Sequence, residues 1–132
     1  MTLARAPSPP LEDANILIVD DDPGAIRILR SALCKYKHVR FATNGADAMR
    51  LSREKPPDVI LLDSDLPKID GAEVCRRLKT DSSTADIPIV MMTSAYIDIY
   101  DVDAEGGPDA FVVRPFVREV LANVVERALF KR

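Results

Sequence analysis

From residue 16 the chain alternates short apolar runs with longer stretches in which apolar residues recur every three or four positions, the pattern of strands and amphipathic helices taking turns. Five short runs, at 16–20, 39–42, 58–62, 87–92 and 110–113, predict five strands. Those starting at 16, 58 and 87 are almost continuously hydrophobic, as strands covered on both faces must be, so helices are expected on both sides of a parallel sheet. The first helix has a clear start: Asp22 stands at the N-cap position and Pro23 at the first helical position, where a missing N–H is harmless. Ile26, Leu29 and Leu33 follow at helical spacing. Asn44 is placed to cap a second helix that runs to about Lys55 and stops at Pro56 and Pro57, and Asp70 with Glu73 has the form of a capping box before Val74, Cys75 and Leu78. In the last helix Val117, Val120, Leu121, Val124, Val125 and Ala128 form an apolar stripe against Arg118, Glu119, Asn123 and Glu126. The fourth helix, within YIDIYDVDAEGG at 96–107, alternates β-branched residues with acids and is broken by Gly106, Gly107 and Pro108, so it is expected to be short or mobile.

A chain of 132 residues suits one domain with one core, here expected over 15–132 behind a flexible lead at 1–14 that carries Pro7, Pro9 and Pro10. With 47% hydrophobic and 30% charged residues the composition is that of a folded globular protein. The net charge of −3 and the lack of basic runs interleaved with aromatics argue against direct nucleic-acid contact by this chain. Cys34 and Cys75 lie in helix-like patterns without metal-ligand spacing and read as buried or half-buried thiols of a reducing compartment. No stretch approaches the ~18 apolar residues a membrane span requires, and the opening residues lack a signal-peptide centre; a cytoplasmic protein without membrane contact is expected.

The chemistry sits where strands end. An open parallel sheet binds ligands at the carboxyl ends of its strands, where strand order reverses. Those positions hold Asp20 and Asp21 after the first strand, Asp63 and Asp65 after the third, Thr93 and Ser94 after the fourth, and Arg114 with Pro115 after the fifth. Asp20, Asp21 and Asp22 are consecutive, and adjacent carboxylates repel unless something separates or neutralises them. A cap accounts for Asp22; a bound cation would account for the others.

Over residues 16–130 the sequence resembles the receiver domain of two-component response regulators. The family's acidic pair matches Asp20 and Asp21 in ILIVDD, its phosphoacceptor matches Asp63 in VILLDSDLPKIDG, and its hydroxyl residue matches Thr93 in IPIVMMTSA. The resemblance implies a flavodoxin-like (βα)5 fold, α/β, with a five-stranded parallel sheet in the order 2-1-3-4-5. That order sets the first and third strands side by side. It also implies Mg²⁺ held by Asp21, Asp63 and the backbone carbonyl of Asp65, with Asp20 in a supporting position orienting water. Asp63 would take a phosphoryl group from a sensor histidine kinase or phosphotransfer protein, the Thr93 hydroxyl would donate to a phosphoryl oxygen, and Phe111 on the last strand would switch rotamer with it. The output would be a changed surface on the fourth helix, fifth strand and fifth helix, a possible homodimer contact. Such transfer is self-catalysed, which sets the protein apart from turnover enzymes. The Arg114–Pro115 bond is a candidate for the cis isomer that the family shows.

Arg114 departs from the family, which has a lysine there. A guanidinium can chelate phosphate bidentately, or lock onto Asp63 beforehand and slow phosphorylation. Blander readings stand beside several assignments: Phe111 as a core aromatic, Asp65 as a loop acid, Thr93 as a strand-end hydroxyl. His38 shows no partner in the sequence. Two rival functions remain. An aspartyl phosphatase of the haloacid dehalogenase type, suggested by DSD at 63–65, usually carries its nucleophile on the first strand in a DxDx(T/V) motif and adds a cap; here the candidate nucleophile follows the third strand and no cap sequence is seen. A degenerate receiver, acting as a phosphate-independent interaction module, is the alternative that Arg114 and the odd fourth helix sustain. The end of the sequence after the fifth helix fits either a single-domain regulator or a receiver within a longer protein.

Overall fold

The computed structural model describes residues 10–93 and 106–130. Five strands, β1 (Asn15–Val19), β2 (His38–Ala42), β3 (Val59–Asp63), β4 (Ile89–Thr93) and β5 (Ala110–Val113), form one parallel sheet in the order β2-β1-β3-β4-β5. Helices α1 (Pro23–Ala32), α2 (Gly45–Glu54), α3 (Gly71–Thr80) and α4 (Arg118–Phe130) connect or follow them. This is the expected flavodoxin-like order. The segment assigned to a fourth helix falls almost wholly outside the described residues, as does Ser94.

Strand alternation divides the core between the two faces. Ile16, Ile18, Val59, Leu61, Val90 and Met92 pack with Leu29 and Leu33 from the α1 end and with Leu121, Val125, Ala128 and Leu129 of α4. On the opposite face Leu17, Val19, Ile60, Leu62, Ile89 and Met91 pack with Ala48 and Met49 of α2 and Val74, Cys75 and Leu78 of α3. Strands β1, β3 and β4 therefore need apolar side chains at every position. Each fully buried Ile or Leu contributes roughly 1.5–3 kcal/mol.

The caps form as expected. The Asp22 side chain accepts from the Gly24 N–H, Asn44 from Asp47 and Asp70 from Glu73. Only half of the capping box is present, because the Glu73 carboxylate is taken by Arg76 and Arg77. The apolar stripe of the last helix is wider than its buried face. Val117 precedes the first turn and Val120 points outward, 60% and 51% exposed. Strand β4 starts two residues later than the hydrophobic run suggests, since Pro88 has no N–H for the ladder. The expected lead contributes a short 3-10 turn, Leu11–Asp13, whose Glu12 carbonyl accepts from the Lys37 N–H at 2.8 Å. Cys34 is exposed, contrary to expectation, because it lies past Leu33, the last residue with which the α1 segment reaches the core; Cys75 is buried, and both are free thiols.

Candidate phosphoryl-transfer site

The register explains why remote acids meet. Val19 pairs with Leu62, so Asp20 and Asp63 each come one residue further along neighbouring strands at the point where strand order reverses. Asp20 is fully buried and Asp63 is 3% exposed, while Asp21, one residue on, is exposed. One carboxylate oxygen from each of Asp20, Asp21 and Asp63 lies within 4.8 Å of the other two, the one such acid cluster among the described residues. These oxygens are hard donors of the kind that Mg²⁺ takes, and a deep pair beside a water-facing third acid fits a cation that keeps part of its hydration.

Each buried carboxylate is held from two sides. Asp20 Oδ1 accepts from the Asp22 N–H at 3.0 Å, and its Oδ2 accepts from Arg114 Nη2 at 2.6 Å. Asp63 Oδ1 accepts from the Asp65 N–H at 3.2 Å and from Arg114 Nη1 at 3.2 Å. The Arg114 fork thus spans both acids. The sequence allowed for its contact with Asp63 but gave no sign of the second arm on Asp20, which is 94 residues away along the chain. Burial pushes the Asp63 carboxyl up to about 6, against the opposing pull of the Asp65 N–H and the Arg114 charge; the neighbouring Asp20 adds to the rise.

Thr93, the last residue of β4, is buried, and its carbonyl accepts from the Arg114 N–H at 2.8 Å, which ties the β4 and β5 ends together. Phe111 pairs with Met91 in the ladder and is partly buried against the α2–α3 face. Asp65 is exposed at the rim. The Arg114–Pro115 peptide is cis. His38 opens β2 on the surface.

Two loop features went unnoticed in the sequence. Lys68 has φ 68° and sits in a γ-turn closed by the Ile69 N–H on the Pro67 carbonyl at 2.8 Å, a strained conformation that tends to occur at functional sites. Gly71 packs so close to the acceptor strand that a Cβ there would lie 2.2 Å from the Asp63 carbonyl oxygen. A glycine directly after the cap Asp70, where any good helix former would do, was the available signal. Beside Arg114 opens an apolar groove of about 590 Å³, lined in part by Asp22, Ile28, Pro115 and Phe116.

The sequence pattern described as response regulator receiver domain matches residues 16–126. The chain is 40% identical over 120 residues to the "DNA-binding dual master transcriptional regulator RpaA" of Synechocystis, covering 89% of this chain and 49% of that protein. It is 34% identical to "Protein PilH" of Pseudomonas aeruginosa, covering 88% of this chain and 98% of PilH. The crystal structure of a putative response regulator from Chloroflexus aurantiacus superposes with a TM-score of 0.82 at 30% identity, over 89% of this chain and 98% of that one. The chain spans about half the length of RpaA and of two further curated relatives. Among the described residues no helix is long and apolar enough to cross a membrane.

Proposed function

The chain belongs to the response regulator receiver domain family, whose members accept phosphoryl groups in two-component signalling, and on that footing we propose that Asp63 is its phosphoacceptor. The observation that carries the assignment is the gathering of Asp20, Asp21 and Asp63 oxygens within 4.8 Å at the strand-order reversal, with Asp63 central and buried. An Asp63 oxygen attacks the phosphorus of a phosphohistidine; the P–N bond breaks, its electron pair stays on the imidazole, and an acyl phosphate forms on Asp63. Asp21, Asp63 and the Asp65 carbonyl would hold Mg²⁺, with Asp20 orienting its water. When bound, the ion supplies neutralising charge to the transferring oxygens.

The chain's own groups do the rest. Arg114 is within reach of any group added to Asp63, and its fork matches two phosphoryl oxygens as well as it matches two carboxylates. The Thr93 hydroxyl donates to a third. Acquiring up to about two negative charges and three acceptor oxygens draws Thr93 inward, and Phe111 follows, changing the surface around β5 and α4. That surface carries the output and is the proposed homodimer contact. The groove beside Arg114, whose guanidinium contacts the acceptor, offers the donor, a histidine kinase or phosphotransfer protein, an apolar landing. The reaction is self-limiting, one phosphoryl group per chain, in the cytoplasm and without direct nucleic-acid contact by this domain.

Incubation with Mg²⁺ and a small phosphodonor, followed by intact mass, tests the assignment. The expected result is one phosphoryl adduct that disappears in Asp63→Asn. Continuous release of phosphate from added substrates would point to a phosphatase instead, and no adduct with any donor would leave the phosphate-independent interaction module.

A further inference from the structure

The Arg114 fork occupies one oxygen of each of the two buried acids in the pocket. Its Nη2 lies 2.6 Å from Asp20 Oδ2 and its Nη1 3.2 Å from Asp63 Oδ1. The Asp22 N–H takes the other Asp20 oxygen, and the Asp65 N–H shares Asp63 Oδ1. The arginine backbone is fixed in turn by its N–H on the Thr93 carbonyl. Resting on Asp63 as the phosphoacceptor, we propose that Arg114 is a built-in rival of the divalent cation: its fork clamps Asp20 to Asp63 in the metal-free protein and sets how tightly the cation binds.

A guanidinium cannot leave such a pocket by losing its proton at any ordinary pH. An incoming divalent ion therefore meets two acids that already have a cationic partner, and an ion that takes the Asp63 oxygen bound to Arg114 must displace that arm. The rivalry is partial. Three clustered carboxylates against one guanidinium leave two negative charges, so the pocket still draws a divalent ion inward. A lysine would bring the same charge without the rigid fork. A compact ammonium does not lock two separate carboxylates in one plane, so it would leave one of them freer for the ion. The arginine thus trades cation affinity for a pocket that is organised before the ion arrives.

The test compares the intact chain with Arg114→Lys and Arg114→Gln. Mg²⁺ is titrated into each at fixed pH and ionic strength, without phosphodonor, and followed by the backbone amide NMR shifts of residues 20–22 and 63–65. The Kd for Mg²⁺ is expected to fall about fivefold or more in Arg114→Lys and further in Arg114→Gln. Melting in EDTA and in saturating Mg²⁺ gives a second readout: the rise in Tm that Mg²⁺ brings is expected to be larger in both variants. An unchanged Kd in Arg114→Lys, with Arg114→Gln alone binding tighter, overturns the clamp and leaves only net charge. Weaker binding in Arg114→Lys also overturns it. If the phosphodonor still adds one group to Asp63 in those cases, the phosphoacceptor reading stands without the clamp. Absence of an adduct in all three proteins at saturating Mg²⁺ overturns that reading and this proposal with it.

Discussion

Aspartates sit at both ends of the sheet, and the two ends use them differently. At the amino ends of the strands, Asp58 Oδ2 accepts from the Asn15 N–H at 2.7 Å, where β1 begins. Asp109 Oδ2 does the same for the Ile89 N–H at 2.7 Å, where β4 begins, and also meets Lys79 Nζ at 2.6 Å. These acids satisfy N–H groups at the start of buried strands. At the carboxyl ends Asp20 and Asp63 are more deeply buried, share one guanidinium and lie beside the exposed Asp21. One end spreads its carboxylates singly over backbone donors; the other crowds three together, two of them on one guanidinium. The residue type is the same, and the number of carboxylates per positive charge separates a structural acid from a reactive one.

Removing the crowding should show the difference most strongly. The Asp63 carboxyl is pushed up to about 6 from an ordinary value of 3.8, so its charged form is disfavoured in the folded state. Well below pH 3.8 the group is protonated in both folded and unfolded chains and carries no penalty. Between pH 4 and 6 the unfolded chain ionises first and stability falls; above pH 6 the full loss is present. Asp63→Asn in EDTA is therefore expected to be more stable than wild type at pH 7, by about 2–3 kcal/mol, and to approach it at about pH 3. Urea unfolding at a series of pH values measures it. A destabilised Asp63→Asn at pH 7 would mean that the Arg114 contact outweighs the burial, and the contrast between the two ends would fail.

The amino-end acids should respond in the opposite sense. Asp109→Ala leaves the Ile89 N–H without its acceptor at the head of a fully buried strand, while Lys79 keeps the Ile87 carbonyl at 2.9 Å. A loss of about 1–2 kcal/mol is expected in urea unfolding at pH 7, with the phosphoryl adduct on Asp63 unaffected. Loss of the adduct together with stability would show that the two ends are coupled through β4.

Much of this arrangement was legible in the sequence, and the parts that were not share a cause. Unbroken apolar runs revealed β1, β3 and β4 because those strands are covered on both faces, and the acids at their ends could be read by position alone. The boundary errors are local: Pro88 removes a ladder donor, and Val120 faces outward although its type matches the stripe of Leu121 and Val125. What stayed hidden depends on distances that spacing does not encode. Nothing in FVVRPF says that the side chain just after β5 reaches past Asp63 to Asp20, or that Gly71 must lack a Cβ for α3 to approach the acceptor strand. The turn at Lys68 carries no glycine to announce its positive φ.

Asp22 lies between the two classes and gives the smallest expected effect. Its side chain caps α1, accepting from the Gly24 N–H at 3.2 Å, whereas its own backbone N–H donates to Asp20 Oδ1 at 3.0 Å. Asp22→Ala removes the first bond and keeps the second, since every residue except proline supplies that N–H. The cap is solvent-exposed, so a loss of about 0.5–1 kcal/mol is expected in urea unfolding. The anchoring of Asp20 should survive, and with it the Mg²⁺ dependence of the Asp63 adduct measured by intact mass. A weakened Mg²⁺ dependence would place the Asp22 carboxylate among the crowded acids and give the cation a fourth acid in its surroundings.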